Sequence, residues 1–457
     1  MPETKLKRVF VANRGEIAVR VIAACRALGL ETVLGVSEAD RDSLGARLAD
    51  RAVCIGPPAA AHSYLRPDIL IAAAKGTGCQ ALHPGYGFLA ERADFQRMCA
   101  AADIVFVGPP AAAIEAMGDK VNAIAIAKRV GVPTIPGSDR LQSEDDARAL
   151  AQAIGYPCLL KASAGGGGRG MRIVRSEEDL AMAFASARAE AQAAFGDSTV
   201  YLEKFIERAR HIEIQVIGDL HGNLCHLFER DCSVQRRHQK LVEEAPSPAL
   251  SPIQRAEMAE TALALAREVG YSGAGTVEFV YDMDDGRFYF LEMNTRIQVE
   301  HPVTEMVTGI DIVQEQLRIA AGQPLSFRQA DVTIAGHAIE CRINAEDAPR
   351  GFVPSPGRVT RWRVPAGPDV RLDTHCYEGY LVPPFYDSMI AKLIVRGEGR
   401  QHALDQMSAA LAAFAVEGVA TTIPFHRAVL AHEDFRDGRV TTRWVESEFL
   451  HNWQLAA

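Results

Sequence analysis

Residues 290–301 read Phe-Leu-Glu-Met-Asn-Thr-Arg-Ile-Gln-Val-Glu-His, with a polar group at every second position. If the segment is extended, Glu292, Asn294, Arg296, Gln298 and Glu300 share one face, because strand side chains alternate sides. Two carboxylates, two amides and a guanidinium following an apolar strand at 288–291 fit a metal and anion site better than a solvated edge. Upstream, residues 275–282 place Glu278 among β-branched and aromatic neighbours, and Asp284-Asp285-Gly286 signals a turn. A three-residue loop at 284–286 would set Glu278 directly opposite Glu292. Like charges so placed destabilise a sheet, so a bridging divalent cation is expected. Mg²⁺ suits carboxylate oxygens shared with nucleotide phosphates.

Other stretches carry weaker signals of the same kind. Lys161-Ala162-Ser163-Ala164 leads into Gly165, Gly166, Gly167 and Gly168, then Arg169-Gly170. Without Cβ atoms, such a run lets backbone N–H groups approach a polyphosphate. It is not a Walker A loop, since no G-x-x-x-x-G-K-[ST] occurs and a strand follows where a helix is needed. A flap between two strands fits better. Gln235-Arg236-Arg237-His238-Gln239-Lys240 is a compact cationic run, by default a solvated patch, but beside an anion site a holder of bicarbonate or phosphate. Residues 337–344 alternate so that Glu340, Arg342 and Asn344 share a face. His83-Pro84-Gly85-Tyr86-Gly87-Phe88 closes a strand with a glycine-rich turn, where α/β folds place ligands. His221 and His226 lack metal spacing and read as structural.

These groups need elements to position them. Up to about residue 118 the chain alternates short apolar strands (8–12, 32–36, 52–55, 79–83, 104–107) with helical stretches such as 16–28, predicting βαβ units and a mainly parallel sheet. The first strand-to-helix turn, Asn13-Arg14-Gly15-Glu16, has no G-x-G-x-x-G, so no dinucleotide fingerprint accompanies the Rossmann-like rhythm. From about 120 to 323 the pattern predicts helices at 143–154 and 252–269, a helix after Ser176, and strands at 157–162 and 171–174. A boundary follows near 322–331. The remainder mixes strands at 337–343 and 390–395 with a helix near 402–414.

The 457 residues contain 49 Lys plus Arg against 58 Asp plus Glu, a net charge of −9 that argues against coating nucleic acid or an anionic membrane. Apolar residues make up 48%, ample for several cores, yet no run reaches the ~18–20 residues of a bilayer span. Nine dispersed cysteines without a C-x-x-C read as reduced thiols. With no visible signal peptide, a cytoplasmic protein without membrane insertion is expected.

Taken in order, Asn13-Arg14-Gly15-Glu16, His83-Pro84-Gly85-Tyr86-Gly87-Phe88-Leu89, Met117-Gly118-Asp119-Lys120, residues 161–171, Arg236-Arg237-His238-Gln239-Lys240, residues 292–301 and Glu340-Cys341-Arg342-Ile343-Asn344 resemble a biotin carboxylase, an ATP-grasp ligase. The similarity covers about residues 6–450. It implies an α/β and α+β multidomain fold: a Rossmann-like N-terminal domain (1–118), an ATP-grasp domain (119–325) with a glycine-rich lid at about 133–205, and a mixed α/β C-terminal domain (332–450).

The resemblance also implies roles. Lys120 and Lys161 would contact ATP phosphates under the lid glycines; Glu203, Lys204 and Ile206 would hold adenine; His211, Gln235 and His238 would contact the nucleotide. Glu278, Glu292 and Asn294 would place Mg²⁺, with Mn²⁺ the alternative. Lys240, Arg296, Gln298 and the Val299 backbone would bind bicarbonate, with Glu300 its general base. Tyr86 would pack on biotin and Arg342 would hold its ureido oxygen.

Ala164, Ala90-Glu91-Arg92 and Thr421-Thr422 depart from the family pattern at positions not expected to be catalytic. No Ala-Met-Lys-Met biotin-attachment motif occurs, so the expected partners are a separate biotin carboxyl carrier protein and a carboxyltransferase, around a homodimer. The default role is the first half-reaction of acetyl-CoA carboxylase in fatty acid synthesis, the alternative a two-part pyruvate or other acyl-CoA carboxylase. Two rivals are an ATP-grasp ligase for another carboxylate and a non-catalytic nucleotide-binding subunit. The latter needs a broken catalytic position, and none is found.

Overall fold

The computed structural model describes residues 6–138, 141, 143–162, 171–195 and 198–456. The N-terminal strands β1 (Arg8–Val11), β2 (Glu31–Ser37), β3 (Arg51–Gly56), β4 (Ala81–His83) and β5 (Val105–Phe106) form one sheet in the order β3-β2-β1-β4-β5. Its pairings are all parallel, as the alternating pattern predicts. The helix Gly15–Ala27 buries Ile17, Val21 and Ala24, and Gly29 ends it at a φ of 70° that a side chain rarely adopts. The strand order reverses between β1 and β4, so the loops leaving their C-terminal ends emerge side by side. That switch point is where open α/β sheets bind ligands.

The chain divides into two compact units. The smaller comprises residues 133–209 and 281–290. Its sheet is antiparallel, with β6 (Cys158–Ala162) between β7 (Met171–Val174) and β8 (Val200–Lys204). Leu160, Leu180, Phe184 and Leu202 fill its core. Ser143 caps the helix Glu144–Ile154 through a reciprocal capping box with Asp146.

The larger unit is built on a second sheet. After β9 (Ala209–Gly218), β10 (Leu224–Arg236) and β11 (Gln239–Ala245) come β12 (Gly273–Asp282), β13 (Phe288–Asn294), β14 (His337–Asn344), β15 (Val370–Thr374) and β16 (Met389–Gly397). They line up as β13-β12-β9-β10-β11-β14-β16-β15. Ile339, Cys341 and Ile343 of β14 pack with Leu393 of β16 and with Leu404, Met407 and Leu411 of the helix Arg400–Ala413. Burying each such leucine contributes about 1.5–3 kcal/mol. Glu340 and Arg342 are thereby turned to the opposite face.

Two expectations are corrected here. The polar segment is not one strand: β13 ends at Asn294, residues 295–300 leave the sheet, and a helix runs over His301–Thr308. The β12–β13 connection is also longer than three residues, with Asp282 N donating to Arg287 O and Gly286 N to Asp282 O. All nine cysteines are free, and all but Cys54 are buried. Among the described residues no helix is long and apolar enough to cross a membrane.

Candidate active site

The switch-point loops interlock through Asn13, whose Nδ2 donates to Pro84 O (2.6 Å) and Tyr86 O (2.7 Å). A Cβ on Gly85 would lie 2.9 Å from that amide, so the loop can close on Asn13 only with glycine there. Tyr86 donates its hydroxyl to Glu16, and Arg14 forks onto Asp40 at 2.8 and 3.0 Å. The Asn-Arg-Gly-Glu and His-Pro-Gly-Tyr motifs thus form one structure.

Between β10 and β11, the cationic run forms a hairpin tip, with Arg236 opposite Gln239 and Gln235 opposite Lys240. Arg237 and His238 make the turn at φ 49° and 65°, the left-handed pair that a two-residue hairpin requires. Exposed His238 stands on this tip. Lys240 points inward from it, donating to Glu213 (2.6 Å), Glu278 (3.0 Å) and Glu300 (2.7 Å). Burial alone would lower the Lys240 ammonium, but these carboxylates hold it well above its usual range.

Glu300 is fully buried. Its Oε1 accepts from Lys240, and its Oε2 accepts from Arg342 Nη2 at 2.9 Å. Burial would raise this carboxyl, yet Lys240, Arg342 and Arg230 together hold it well below the ordinary range. Arg342 also donates Nε to Glu243 at 2.6 Å. Burial, resisted by Arg342 and reinforced by Glu300, pushes Glu243 up to about 7. Arg230, with no exposed surface, bonds Glu213, Gln215, Thr276 and Thr304. It ties three strands to the helix that begins just after Glu300.

Although residues 295–300 leave the sheet, their polar groups still converge. Arg296 donates to Asn294 Oδ1 (2.8 Å) and Gln298 Oε1 (2.8 Å), and Gln298 Nε2 donates to Glu278 (3.0 Å). Glu91, set aside in the sequence as a departure remote from chemistry, accepts from Arg296 Nε and Thr295 N, each at 2.9 Å. It therefore positions a site residue.

His211 Nε2 lies 3.1 Å from Glu278 Oε2, and its Nδ1 is 3.4 Å from Gln235 Nε2. Desolvation first, then repulsion from Glu278, raises the Glu292 carboxyl, while the charge of Lys120 counters it. That repulsion fits a divalent cation shared by the Glu278 and Glu292 carboxylates, with Asn294 Oδ1, which accepts from Arg296, as the third oxygen beside them. Two further groups among the described residues could hold a metal: His211, Glu213 and Glu278, and Glu213, Cys232 and Glu300.

The rest of the expected nucleotide set lies in the smaller unit. Lys161 pairs with Glu203, Lys204 Nζ donates to Gly155 O and Tyr156 O, each at 3.1 Å, and Ile206 is buried. Gly165, Gly166, Gly167 and Gly168 lie outside the described residues. Sequence reasoning missed Glu213, Arg230, Glu243 and Lys392. A signal for Glu213 was available, since His211, Glu213 and Gln215 alternate with Ile212, Ile214 and Val216.

Three family models match the chain: the biotin carboxylase N-terminal domain over residues 5–114, the carbamoyl-phosphate synthase L chain ATP-binding domain over 119–328, and the biotin carboxylase C-terminal domain over 340–447. Biotin carboxylase 1 of Bacillus subtilis is 53% identical over 97% of this chain and 98% of its own length. A pyruvate carboxylase subunit of Methanothermobacter thermautotrophicus is 53% identical over 96% of this chain and 89% of its own. The biotin carboxylase domain dimer of the 2-oxoglutarate carboxylase of Hydrogenobacter thermophilus, solved with MgADP, ADP and bicarbonate, superposes with a TM-score of 0.87 at 50% identity, covering 96% of this chain and 97% of that one.

Proposed function

The chain belongs to the biotin carboxylase family of ATP-dependent ligases, and on that premise we propose that it carboxylates the biotin of a separate carrier protein, using bicarbonate and ATP. The observation that carries this reading is the environment of Glu300: one carboxylate oxygen on Lys240, the other on Arg342, with no exposed surface. The cations that hold a buried carboxylate can turn to an incoming anion and leave the carboxylate free to act as a base.

In this reading Lys240, Arg296, Gln298 and the Val299 backbone hold bicarbonate. As the anion takes Lys240 from Glu300, the carboxylate loses a stabilising charge and becomes more basic. Glu300 then removes the bicarbonate proton, so that the freed oxygen attacks the ATP γ-phosphorus, the bond to the β-phosphate oxygen breaks, ADP leaves and carboxyphosphate forms. When bound by Glu278, Glu292 and Asn294, Mg²⁺ supplies neutralisation of phosphate charge. Lys120 and Lys161 are assigned to the phosphates, Glu203, Lys204 and Ile206 to adenine, and His211, Gln235 and His238 to the nucleotide. Carboxyphosphate releases CO₂ and phosphate, the phosphate takes the biotin N1 proton, Arg342 holds the ureido oxygen as it gains negative charge, and N1 then bonds the CO₂ carbon to give carboxybiotin. Tyr86 packs on biotin.

We assign the domains to 1–118, 119–325 and 332–450, and the working form to a homodimer in the cytoplasm. Acetyl-CoA carboxylase is the proposed assembly. A keto-acid carboxylase is the second reading, favoured by the likeness to the pyruvate carboxylase subunit of Methanothermobacter thermautotrophicus. Pairing the chain with each carboxyltransferase in turn and identifying the carboxylated product separates them.

The reaction itself is tested by ATP cleavage with Mg²⁺ and bicarbonate, with and without free biotin, for wild type and Glu300→Gln. Biotin-stimulated turnover that requires bicarbonate and is lost in the variant is expected. Nucleotide binding without bicarbonate-linked turnover would refute the proposal and favour a non-catalytic role.

A further inference from the structure

Lys392 is the one charged residue in the apolar run 389–395, and it has no exposed surface. Its register explains why it is tolerated. It lies directly opposite Arg342 on β14 and Asp373 on β15, so it belongs to the face that carries Arg342. Its Nζ lies 3.1 Å from Glu16 and 3.8 Å from Asp373. Asp373 is itself held by both arms of Arg371, which reaches Glu305 in the helix His301–Thr308 at 2.7 Å.

Ion pairing alone would satisfy a buried lysine. Here Nζ also donates to Val299 O at 2.8 Å, a backbone carbonyl one residue before Glu300. The preceding carbonyl, Gln298 O, accepts from His301 Nδ1 at 2.8 Å. Because a carbonyl only accepts, that ring carries its proton on Nδ1. Both peptide carbonyls leading into Glu300 are therefore anchored, one by a side chain from a different strand. The Glu16 that shares the Lys392 ammonium also accepts the Tyr86 hydroxyl.

We propose that Lys392 is a positioning residue which, through Val299 O and Glu16, couples the bicarbonate segment 298–300 to the Tyr86 platform for biotin. The inference deepens the proposed function and rests on it. A shift of biotin against Tyr86 passes to Glu16, and the ammonium that Glu16 holds is the one that orients the Val299 peptide. Neither Lys392 nor Glu16 touches substrate; each acts by fixing the residues that do.

The test measures KM for bicarbonate, free biotin and ATP in Lys392→Met and Glu16→Gln, with thermal melts as a folding control. Misplacing a reacting group by about 1 Å can cost ~100-fold. Lys392→Met is expected to raise the bicarbonate KM about ten-fold and lower kcat, with the ATP KM within about two-fold. Glu16→Gln is expected to raise both biotin and bicarbonate KM by about three-fold or more, again sparing ATP. A merely structural lysine would lower the melting temperature or weaken all three substrates alike, and either pattern without the split overturns the proposal. If Lys392→Met does not fold, Glu16→Gln decides, and an unchanged bicarbonate KM refutes the coupling. Wild-type protein without bicarbonate-dependent turnover would instead refute the functional reading, and this inference with it.

Discussion

Arg342 faces Glu243 and Glu300 with one fork, and its chemistry follows from holding both. Burial would weaken the guanidinium's hold on its proton, but Glu243, Glu300 and Glu340 raise it further above its already high range, so it stays charged. A donor aimed at a developing oxyanion is typically worth ~2.7–4 kcal/mol, or ~10²–10³ in kcat. Arg342→Ala is therefore expected to lose most biotin-dependent turnover, and Arg342→Lys to recover only part, since a point charge cannot span both carboxylates. The protein should still fold, because Glu243, already pushed up to about 7, can take a proton once its partner is gone. Near-normal turnover with free biotin in Arg342→Ala would sink the assignment. At this scale the sequence was highly legible: Glu278, Gln298, Glu300, Lys240 and Arg342 meet, as their motifs suggested. Lys392, Glu243 and Arg230 were not, because Lys392 sits in an otherwise apolar run and Glu243 and Arg230 stand among other charged residues that nothing local tells apart. Only the register of β10, β11, β14 and β16 turns them toward Glu300.

Among the elements, hydrophobic periodicity carried the prediction where burial was one-sided or complete. The strand expected at 171–174 is β7 (Met171–Val174), and the helix expected from 252 is Pro252–Glu268 with a Ser251–Gln254 capping box. The expectation failed where tertiary contacts override the pattern. Beyond Asn294 the alternation continues for six residues, yet Arg296, gripped by Glu91, and the turn into the helix at His301 draw the chain out of the sheet. Arg237 and His238 likewise gave little sign of a tight turn, since arginine rarely adopts positive φ and a single histidine, though enriched there, marks no turn without glycine or asparagine beside it.

Strand β11 offers a test of how its neighbours are joined. Glu244 accepts from His337 Nε2 (2.7 Å) and Arg400 Nε (2.6 Å). Burial would raise its carboxyl, but Arg400 and His337 draw it down to about 2 from an ordinary 4.5. A lowered carboxyl gives stability that is complete above the unfolded value and is lost as pH falls toward the folded one, here roughly 3 kcal/mol between about pH 4.5 and 2. Urea unfolding of wild type and Glu244→Gln should differ most near pH 7 and converge only as pH falls through about 2. A gap independent of pH would contradict this.

At the level of the whole molecule, each of the two units has its own apolar interior, and that sets how the protein responds to core damage. Leu160 and Leu202 are fully buried from adjacent strands β6 and β8 and pack with Phe184 and Leu180 in the smaller unit. None of these residues belongs to the clusters formed by Ile339, Leu393 and Met407, or by Val9, Ile17 and Val21, in the larger unit. A cavity at Leu160 removes contacts from the first interior alone. Truncating a buried leucine to alanine typically costs 2–5 kcal/mol, the spread reflecting how far the site collapses. Because stability is distributed in cooperative units, Leu160→Ala should speed amide exchange in β6, β7 and β8 while β10, β14 and β16 keep wild-type protection. The Lys240–Glu300–Arg342 cluster belongs wholly to the larger unit, on β11, β14 and the segment that leads into the helix His301–Thr308. The bicarbonate site proposed there should therefore outlast the loss of the first interior, measured as an unchanged bicarbonate KM at a temperature where Leu160→Ala retains residual turnover. Equal loss of protection across both sets of strands would instead show that the two interiors unfold as one.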